Sequence, residues 1–272
     1  MHSEKRGREF YVLCFFFGLF VLFLYGPLSA ILILAFQGPN GGLTFPLNGV
    51  SLHWFGNLFQ QQAVGDFGGS FRRSLVLGIM VMSATVLVSL LAGLAFRRKF
   101  VGATPLFYLS VASLVVPSII ISLGIGVLFQ QLGLEPSWYT SAFGAHMTWT
   151  LPFGVLIMLA VFNRFSPSYE EAARDLGATS WQTFREVVLP MIAPSLIGIG
   201  LFGFTLSYDE FARTLMTSGT YNTLPLEIYG MTTNVTTPVL YALGAVTTFF
   251  SFLVIAATLG LIVYLNRRQL KA

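Results

Sequence analysis

Apolar residues dominate six stretches of the chain: roughly Phe10 to Phe36, Ser74 to Phe96, Thr104 to Gln130, Trp138 to Phe162, Met191 to Phe211 and Tyr241 to Leu265. Each approaches or exceeds the roughly 20 residues an α-helix needs to cross a hydrocarbon core of about 30 Å. A closed β-barrel would instead show segments of about ten residues alternating apolar and polar, and Val, Leu, Ile and Phe do not alternate here. The pattern predicts an all-α integral membrane protein with six transmembrane helices. Gly26-Pro27 is expected to break the first, while Pro117, Pro152 and Pro194 mark kinks. A secretory signal peptide is the competing reading of the start, but its apolar region is 7–15 residues and this run continues to Phe36.

Composition agrees. Of 272 residues, 55% are apolar and 10% charged, with a mean hydropathy of +0.75, whereas a soluble domain carries about 25% charged residues. A disordered chain is excluded, since it needs low hydrophobicity. The single cysteine, Cys14, excludes a disulfide scaffold and a cysteine-rich metal site. The net charge of +4 does not point to nucleic acid, because the basic residues are scattered in twos and threes beside apolar runs.

That scatter sets an orientation. Lys5, Arg6 and Arg8, then Arg97, Arg98 and Lys99, then Arg164, Arg174 and Arg185, then Arg267, Arg268 and Lys271 put twelve basic residues on one side. Arg72, Arg73 and Arg213 make three on the other. The excess predicts that both termini are cytoplasmic. Arg72 and Arg73 are a local exception, snorkelling or pairing with Asp66. The segment Gln37 to Arg73 is the longest on the outer face, and its Leu52, His53, Trp54 and Phe55 form an amphipathic patch suited to the membrane interface.

Between spans four and five lies the most polar stretch, Ser166 to Pro190. Ser168 with Glu171, and Thr179 with Gln182, have the spacing of capping boxes, in which each side chain satisfies the other's free backbone amide. Gly177 between them suits a left-handed helix cap. These signals predict a knuckle of two short helices, the first running to Leu176 and the second ending before Pro190. Ala172 and Ala173 are small where a neighbouring surface would come close, and Leu176, Trp181 and Phe184 are apolar anchors of the kind found at interface centres. An ordinary solvated loop would explain the polarity but not two capping signals with three anchors.

Glu-Ala-Ala, three residues, Gly, nine residues, Ile, one residue, Leu-Pro resembles the EAA loop of permease subunits in binding-protein-dependent ABC importers. Glu171, Ala172, Ala173, Gly177, Leu189 and Pro190 stand in register, and Val187 replaces the more usual Ile. The resemblance extends through the six-span organisation over nearly the whole chain. It implies a type I ABC importer permease-like fold, a single transmembrane domain over residues 1–272, and a cytoplasmic coupling loop at about 163–190. In it Glu171, Ala172, Ala173, Leu176, Gly177, Leu189 and Pro190 would dock on a separate ATPase. The implied partners are two copies of that ATPase holding ATP and Mg, a second permease (favoured as a different chain, with a homodimer also open), a periplasmic substrate-binding protein and membrane lipid, in a bacterial inner membrane. This chain has no nucleotide site or cofactor of its own: its lysines are Lys5, Lys99 and Lys271, and none lies in the Gly-x-x-x-x-Gly-Lys-Ser/Thr frame of a phosphate loop.

The spans hold few ionisable residues, which are expensive in hydrocarbon and so point to function. Span five ends in Ser207-Tyr208-Asp209-Glu210, with Asp209 18 residues beyond Met191 and so about 27 Å along the helix, towards the outer side. One reading is a solvated helix end or a salt bridge from Asp209 to Arg213. The other is a site for a cationic substrate, with Tyr208 and Trp149 in the path and Tyr208 covering the cation by cation–π contact. Ser-Tyr-Asp-Glu followed by Thr223-Leu-Pro-Leu226 resembles the second permease of the spermidine/putrescine importer group. Relatives implied for opines, amino acid derivatives, aminophosphonates or ferric iron stay open as alternatives. Residues Thr220 to Pro238 are too short to span and are expected to form a short outer helix that meets the binding protein, or a plain loop. His146 is expected to be a hydrogen-bonded packing residue, because no carboxylate accompanies it at ligand spacing. Gly124, Gly126, Gly198, Gly200 and Gly203 permit close helix approach. A secondary transporter or channel is the rival class, but its coupling carboxylates would have only Asp209 and Glu210 to draw on. A membrane enzyme would lack a nucleophilic triad inside the spans.

Overall fold

A computed structural model describes residues 7–58, 65–234 and 237–269. Lys5, Arg6 and Lys271 of the charge count lie outside them. The chain is helical: α1 (Arg8–Leu34), α2 (His53–Asn57), α3 (Phe67–Phe96), α4 (Ala103–Ala112), α5 (Ser118–Gln131), α6 (Ser141–Arg164), α7 (Ser168–Asp175), α8 (Ser180–Thr183), α9 (Leu189–Tyr208), α10 (Leu224–Asn234) and α11 (Val239–Gln269).

Two expectations about breaks are corrected. Gly26-Pro27 does not interrupt α1, which carries Pro27 inside a continuous 27-residue helix. Losing one amide is tolerable where the other turns of a long apolar helix keep theirs. The third apolar run does break. Pro117 has an extended backbone (φ −56°, ψ 134°) and divides α4 from α5, because a proline ring also disfavours helical geometry in the residue before it. Among the described residues, five helices are therefore long and apolar enough to cross a membrane: α1, α3, α6, the continuous run Ser180–Tyr208, and Val239–Tyr264 of α11. The protein is a multi-pass membrane protein.

Two compact units divide the chain. One holds the residues up to Gly65 with Gly230–Phe250. Here the buried side chain of Gln37 organises the turn after α1, its Oε1 accepting from the Asn48 amide at 2.7 Å and from Gly38 N at 3.2 Å. Trp54, expected to face the membrane interface, is buried instead, its indole donating to Gly38 O at 3.3 Å. The hydroxyl of Tyr241, on α11, donates to Leu43 O at 2.6 Å. Most side chains of α1 are exposed, as contact with lipid requires.

The other unit, Asp66–Tyr229 with the residues from Ser251, is built on α3, α6 and α9. Met158, Phe162, Val188, Ile192 and Ile199 form one core cluster, and Leu77, Val81 and Ala142 a second. Between them α3 and α6 approach closely, and Thr85 Oγ1 meets Thr150 Oγ1 at 2.8 Å. Helix association in lipid depends on such close packing and interhelical hydrogen bonds. At the crossing, a Cβ on Gly154 would collide with Ser89 Oγ and reach within 3.1 Å of Thr85 Cγ2. Gly154→Val is accordingly expected to destabilise the chain by about 1–3 kcal/mol, the usual cost of overpacking a core, read as a lower melting temperature in detergent. Gly198→Ala, where a Cβ meets nothing within 4 Å, should leave it unchanged.

Candidate functional site

The knuckle begins with a correction. Ser168 and Glu171 form no capping box, because Ser168 is already the first residue of α7 and Pro167 holds the N-cap position. The fixed φ of Pro167 (−57°) starts the helix there, and its carbonyl accepts from Glu170 N at 2.9 Å and Glu171 N at 3.1 Å. Ser166 Oγ accepts from Ser168 N at 3.4 Å. The two glutamates in the first turn oppose the positive end of the helix dipole. At the other end, Gly177 N donates to Arg174 O at 2.8 Å and Ala178 N to Ala173 O at 3.0 Å. That pair of bonds requires Gly177 in the left-handed region, where its φ is +87°.

The second capping box is present. Gln182 N donates to Thr179 Oγ1 at 3.3 Å, and Thr179 N to Gln182 Oε1 at 2.8 Å. The helix that follows does not end before Pro190. It passes through a wide π turn, Phe184–Val188, in which Leu189 N donates to Phe184 O, and continues as α9. In a regular α-helix the Pro190 ring would clash with the carbonyl four residues back; a turn of i→i+5 bonds lets the chain carry the proline onward.

This local grammar fixes which side chains face out. Leu176 is 89% exposed and Trp181 66% exposed, on either side of the capped turn that joins the two helices. Glu171 and Ala172 are exposed, Ala173 and Leu189 half-buried, and Pro190 exposed. Phe184, expected as a third anchor, packs instead against the Met158 and Phe162 cluster, with its ring 5.7 Å from that of Trp181. Val187, where the loop pattern has Ile, is half-buried. Glu170, next to the exposed Glu171, turns the other way: its Oε1 lies 2.6 Å from Nη1 of Arg97, which caps the C-terminus of α3.

The second locus follows α9. Asp209 is exposed, with no salt bridge among the described residues. Glu210 is the acid that meets Arg213, its Oε2 lying 3.7 Å from Arg213 Nη1 and its Oε1 accepting from Arg213 N at 2.9 Å. α9 ends at Tyr208 and the chain turns through Asp209, so the Glu210 carboxylate points in while that of Asp209 stays out. Arg213, counted from the sequence as an outer-face charge, is buried with 0% exposure. Its Nη1 donates to Ser118 Oγ at 2.5 Å and its Nε to Thr148 Oγ1 at 3.3 Å. Its guanidinium lies 4.6 Å from the ring centre of Trp149. Arg213 Nη2 and the indole Nε1 of Trp149 are buried without a hydrogen-bond partner among the described residues.

The cation–π contact of this region therefore belongs to Trp149 and a protein cation. Tyr208 is buried, stacked on Phe204 at 5.7 Å and meeting Phe71 edge-on at 6.4 Å. The irregular segment after Glu210 is tied down by side chains: Ser122 Oγ donates to Arg213 O at 3.0 Å and Ser141 Oγ to Thr217 O at 2.7 Å. His146 lies between Ser207 Oγ at 2.8 Å and Thr214 Oγ1 at 3.0 Å, a packing histidine with both ring nitrogens in use. Irregular backbone at membrane depth is tolerated where protein satisfies it in this way. The segment's polar residues meet polar partners on neighbouring helices: Arg213 with Ser118, Ser122 and Thr148, Thr214 with His146, and Thr217 with Ser141.

At the N-terminal end of α3, Arg73 pairs with Asp66 at 3.0 Å, as the Asp66 reading expects, and donates from Nε to Asn222 O at 2.7 Å. Leu224 N donates to Ser74 Oγ at 2.9 Å, and Asp66 N to Glu227 Oε1 at 3.0 Å. These bonds hold the start of α10, which forms the short helix expected within Thr220 to Pro238.

The family model described as "Binding-protein-dependent transport system inner membrane component" matches residues 85–271. Among curated proteins, the chain is 26% identical over 238 residues to the spermidine/putrescine transport system permease protein PotC of Escherichia coli (strain K12), covering 87% of this chain and 88% of that one. It is 29% identical over 215 residues to the putrescine transport system permease protein PotI of the same strain, covering 76% and 75%. Among solved structures, a chain of a bacterial ABC transporter involved in the import of the acidic polysaccharide alginate superposes with a TM-score of 0.63 at 18% identity, covering 98% of this chain and 99% of that one. A chain of the MetNI methionine ABC transporter gives a TM-score of 0.57 at 16% identity, covering 76% and 97%.

Proposed function

Since the chain belongs to the family of binding-protein-dependent transport system inner membrane components, a family of transport subunits and not of enzymes, we propose that it is one half of the pore of an ATP-driven importer for a small cationic amine such as a polyamine. The knuckle faces the cytoplasm of a bacterial cell, with both termini on that side. It docks in a separate ATPase, present in two copies with ATP and Mg, through Glu171, Ala172, Ala173, Leu176, Gly177, Leu189 and Pro190. A second permease completes the pore, and a periplasmic binding protein delivers the substrate. The observation that carries this reading is the knuckle itself: a helix pair capped where the two helices meet, at Gly177 and Thr179, that leaves Leu176 and Trp181 in the open.

The substrate class rests on Asp209 and on the named relatives, which are permeases of spermidine and putrescine systems. Glu210 is committed to Arg213, so Asp209 is the carboxylate free to meet an ammonium group.

The test uses the assembled importer. ATPase should co-purify with the parent chain and be lost from Glu171→Arg and Gly177→Asp. Retention in both would defeat the coupling assignment. Uptake of labelled putrescine into proteoliposomes should fall at least tenfold in Asp209→Asn. Unchanged uptake would remove the acidic site and leave the transporter standing.

A further inference from the structure

We propose that Arg97 and Glu170 form the joint through which the knuckle moves α3, a positioning role separate from ATPase docking. The inference rests on the coupling role proposed above for the knuckle. None of the residues of α7 is buried, so apolar packing does little to hold that helix to the rest of the unit. A charged contact does it instead. Arg97 Nη1 and Glu170 Oε1 are 2.6 Å apart, and their side chains are only 26% and 15% exposed. The guanidinium of Arg97 lies 5.0 Å from the ring centre of Phe162 and 5.6 Å from that of Phe165, both in the last stretch before α7. The second oxygen of Glu170 is 3.8 Å from Arg174, one turn further along the same helix.

Three features make this contact a joint. Shielded charge pairs with fixed donors are directional and stronger than exposed ones, so displacement of α7 pulls on Arg97 along a defined line. The pair lines an open cleft of about 510 Å³ together with Leu94, Ala95 and Arg98, which leaves α7 room to pivot. Finally, Arg97 caps a 30-residue helix, about 45 Å long, whose far end is bonded through Asp66, Arg73 and Ser74 to Glu227, Asn222 and Leu224. A pull at one end of α3 is thereby delivered to the segment that starts α10. Glu170 and Glu171 divide the work: adjacent on one helix, the first turns towards the chain and the second towards the partner.

A double-mutant cycle tests it in the complete importer, with both permeases, ATPase and loaded binding protein in proteoliposomes. The variants are Arg97→Gln, Glu170→Gln, the double variant and Arg97→Lys. The readout is the stimulation of ATP hydrolysis by loaded binding protein, beside the basal rate. Both single variants are expected to keep the ATPase bound and its basal rate, while stimulation falls about fivefold or more, the lower range of coupling between sites. The double variant should lose no more than either single, since partners in one contact are not additive. Arg97→Lys, which keeps the charge, should retain most of the stimulation.

Stimulation within twofold of the parent in both single variants overturns the joint, as do single losses that multiply in the double. An ATPase that fails to co-purify with Glu170→Gln makes Glu170 a docking residue, which overturns the joint and leaves the coupling assignment in place. That assignment has its own failing result, an ATPase retained by both Glu171→Arg and Gly177→Asp.

Discussion

An Arg213→Met chain is expected to lose about 3–5 kcal/mol of stability, the cost of leaving one partner of a buried ion pair alone. The Arg213 side chain is 1% exposed, and Glu210 beside it is 13% exposed. The arginine also bridges elements that do not follow one another in sequence, reaching Ser118 on α5 and Thr148 on α6. Its removal leaves the Glu210 carboxylate uncompensated where water is scarce. Thermal unfolding of the purified chain in detergent measures the loss. Arg213→Met combined with Glu210→Gln removes both charges and should recover more than half of it, because an orphaned charge costs more than an absent pair. A double variant as unstable as the single would mean that the hydroxyl contacts carry the stability and the ion pair does not.

The second large effect lies at the exposed end of the knuckle and has the opposite signature. Trp181→Ala and Leu176→Ala are each expected to weaken ATPase binding by roughly 30-fold, equivalent to about 2 kcal/mol for an anchor at an interface centre. Neither should shift the melting temperature of the isolated chain, since substitutions at exposed positions usually stay within about 0.5 kcal/mol. Titration of purified ATPase against the chain in nanodiscs gives the affinity. Phe184→Ala is the contrast: half-buried against Met158 and Phe162, it should lower stability first. Should Trp181→Ala bind normally, the exposed ring is not an anchor, however open it stands.

Much of this architecture is legible in the residues, for reasons that also explain where legibility stops. Long apolar runs report helices well, so α1, α6, α9 and α11 lie within a few residues of expectation, while α3 begins seven residues before Ser74. Capping spacings are a partial guide: the Thr179 and Gln182 spacing and the glycine at 177 correspond to observed hydrogen bonds and an observed positive φ, whereas Ser168 with Glu171 does not, because Pro167 starts that helix one residue earlier. Proline is harder, because one ring has three outcomes. It sits inside α1 at Pro27, ends a helix run at Pro117, and is carried through by a π turn at Pro190. Hydropathy does not distinguish these, since the choice depends on what satisfies the freed carbonyl. The polar segment after α9 carries the weakest local signal. Arg213 among serines and threonines looks like a solvated loop, and only the facing hydroxyls on α5 and α6 show it to be interior.

The wide turn at Phe184–Val188 has a consequence for how this region tolerates change. A helix advances its side chains by about 100° per residue. Deleting a single residue there would swing Leu176, Trp181 and Glu171 about a quarter of the way around the axis of α9, while α7, α8 and α9 kept their length and composition. Point substitutions in that stretch alter a surface; insertions and deletions re-aim it, and a gear whose teeth face the wrong way turns nothing.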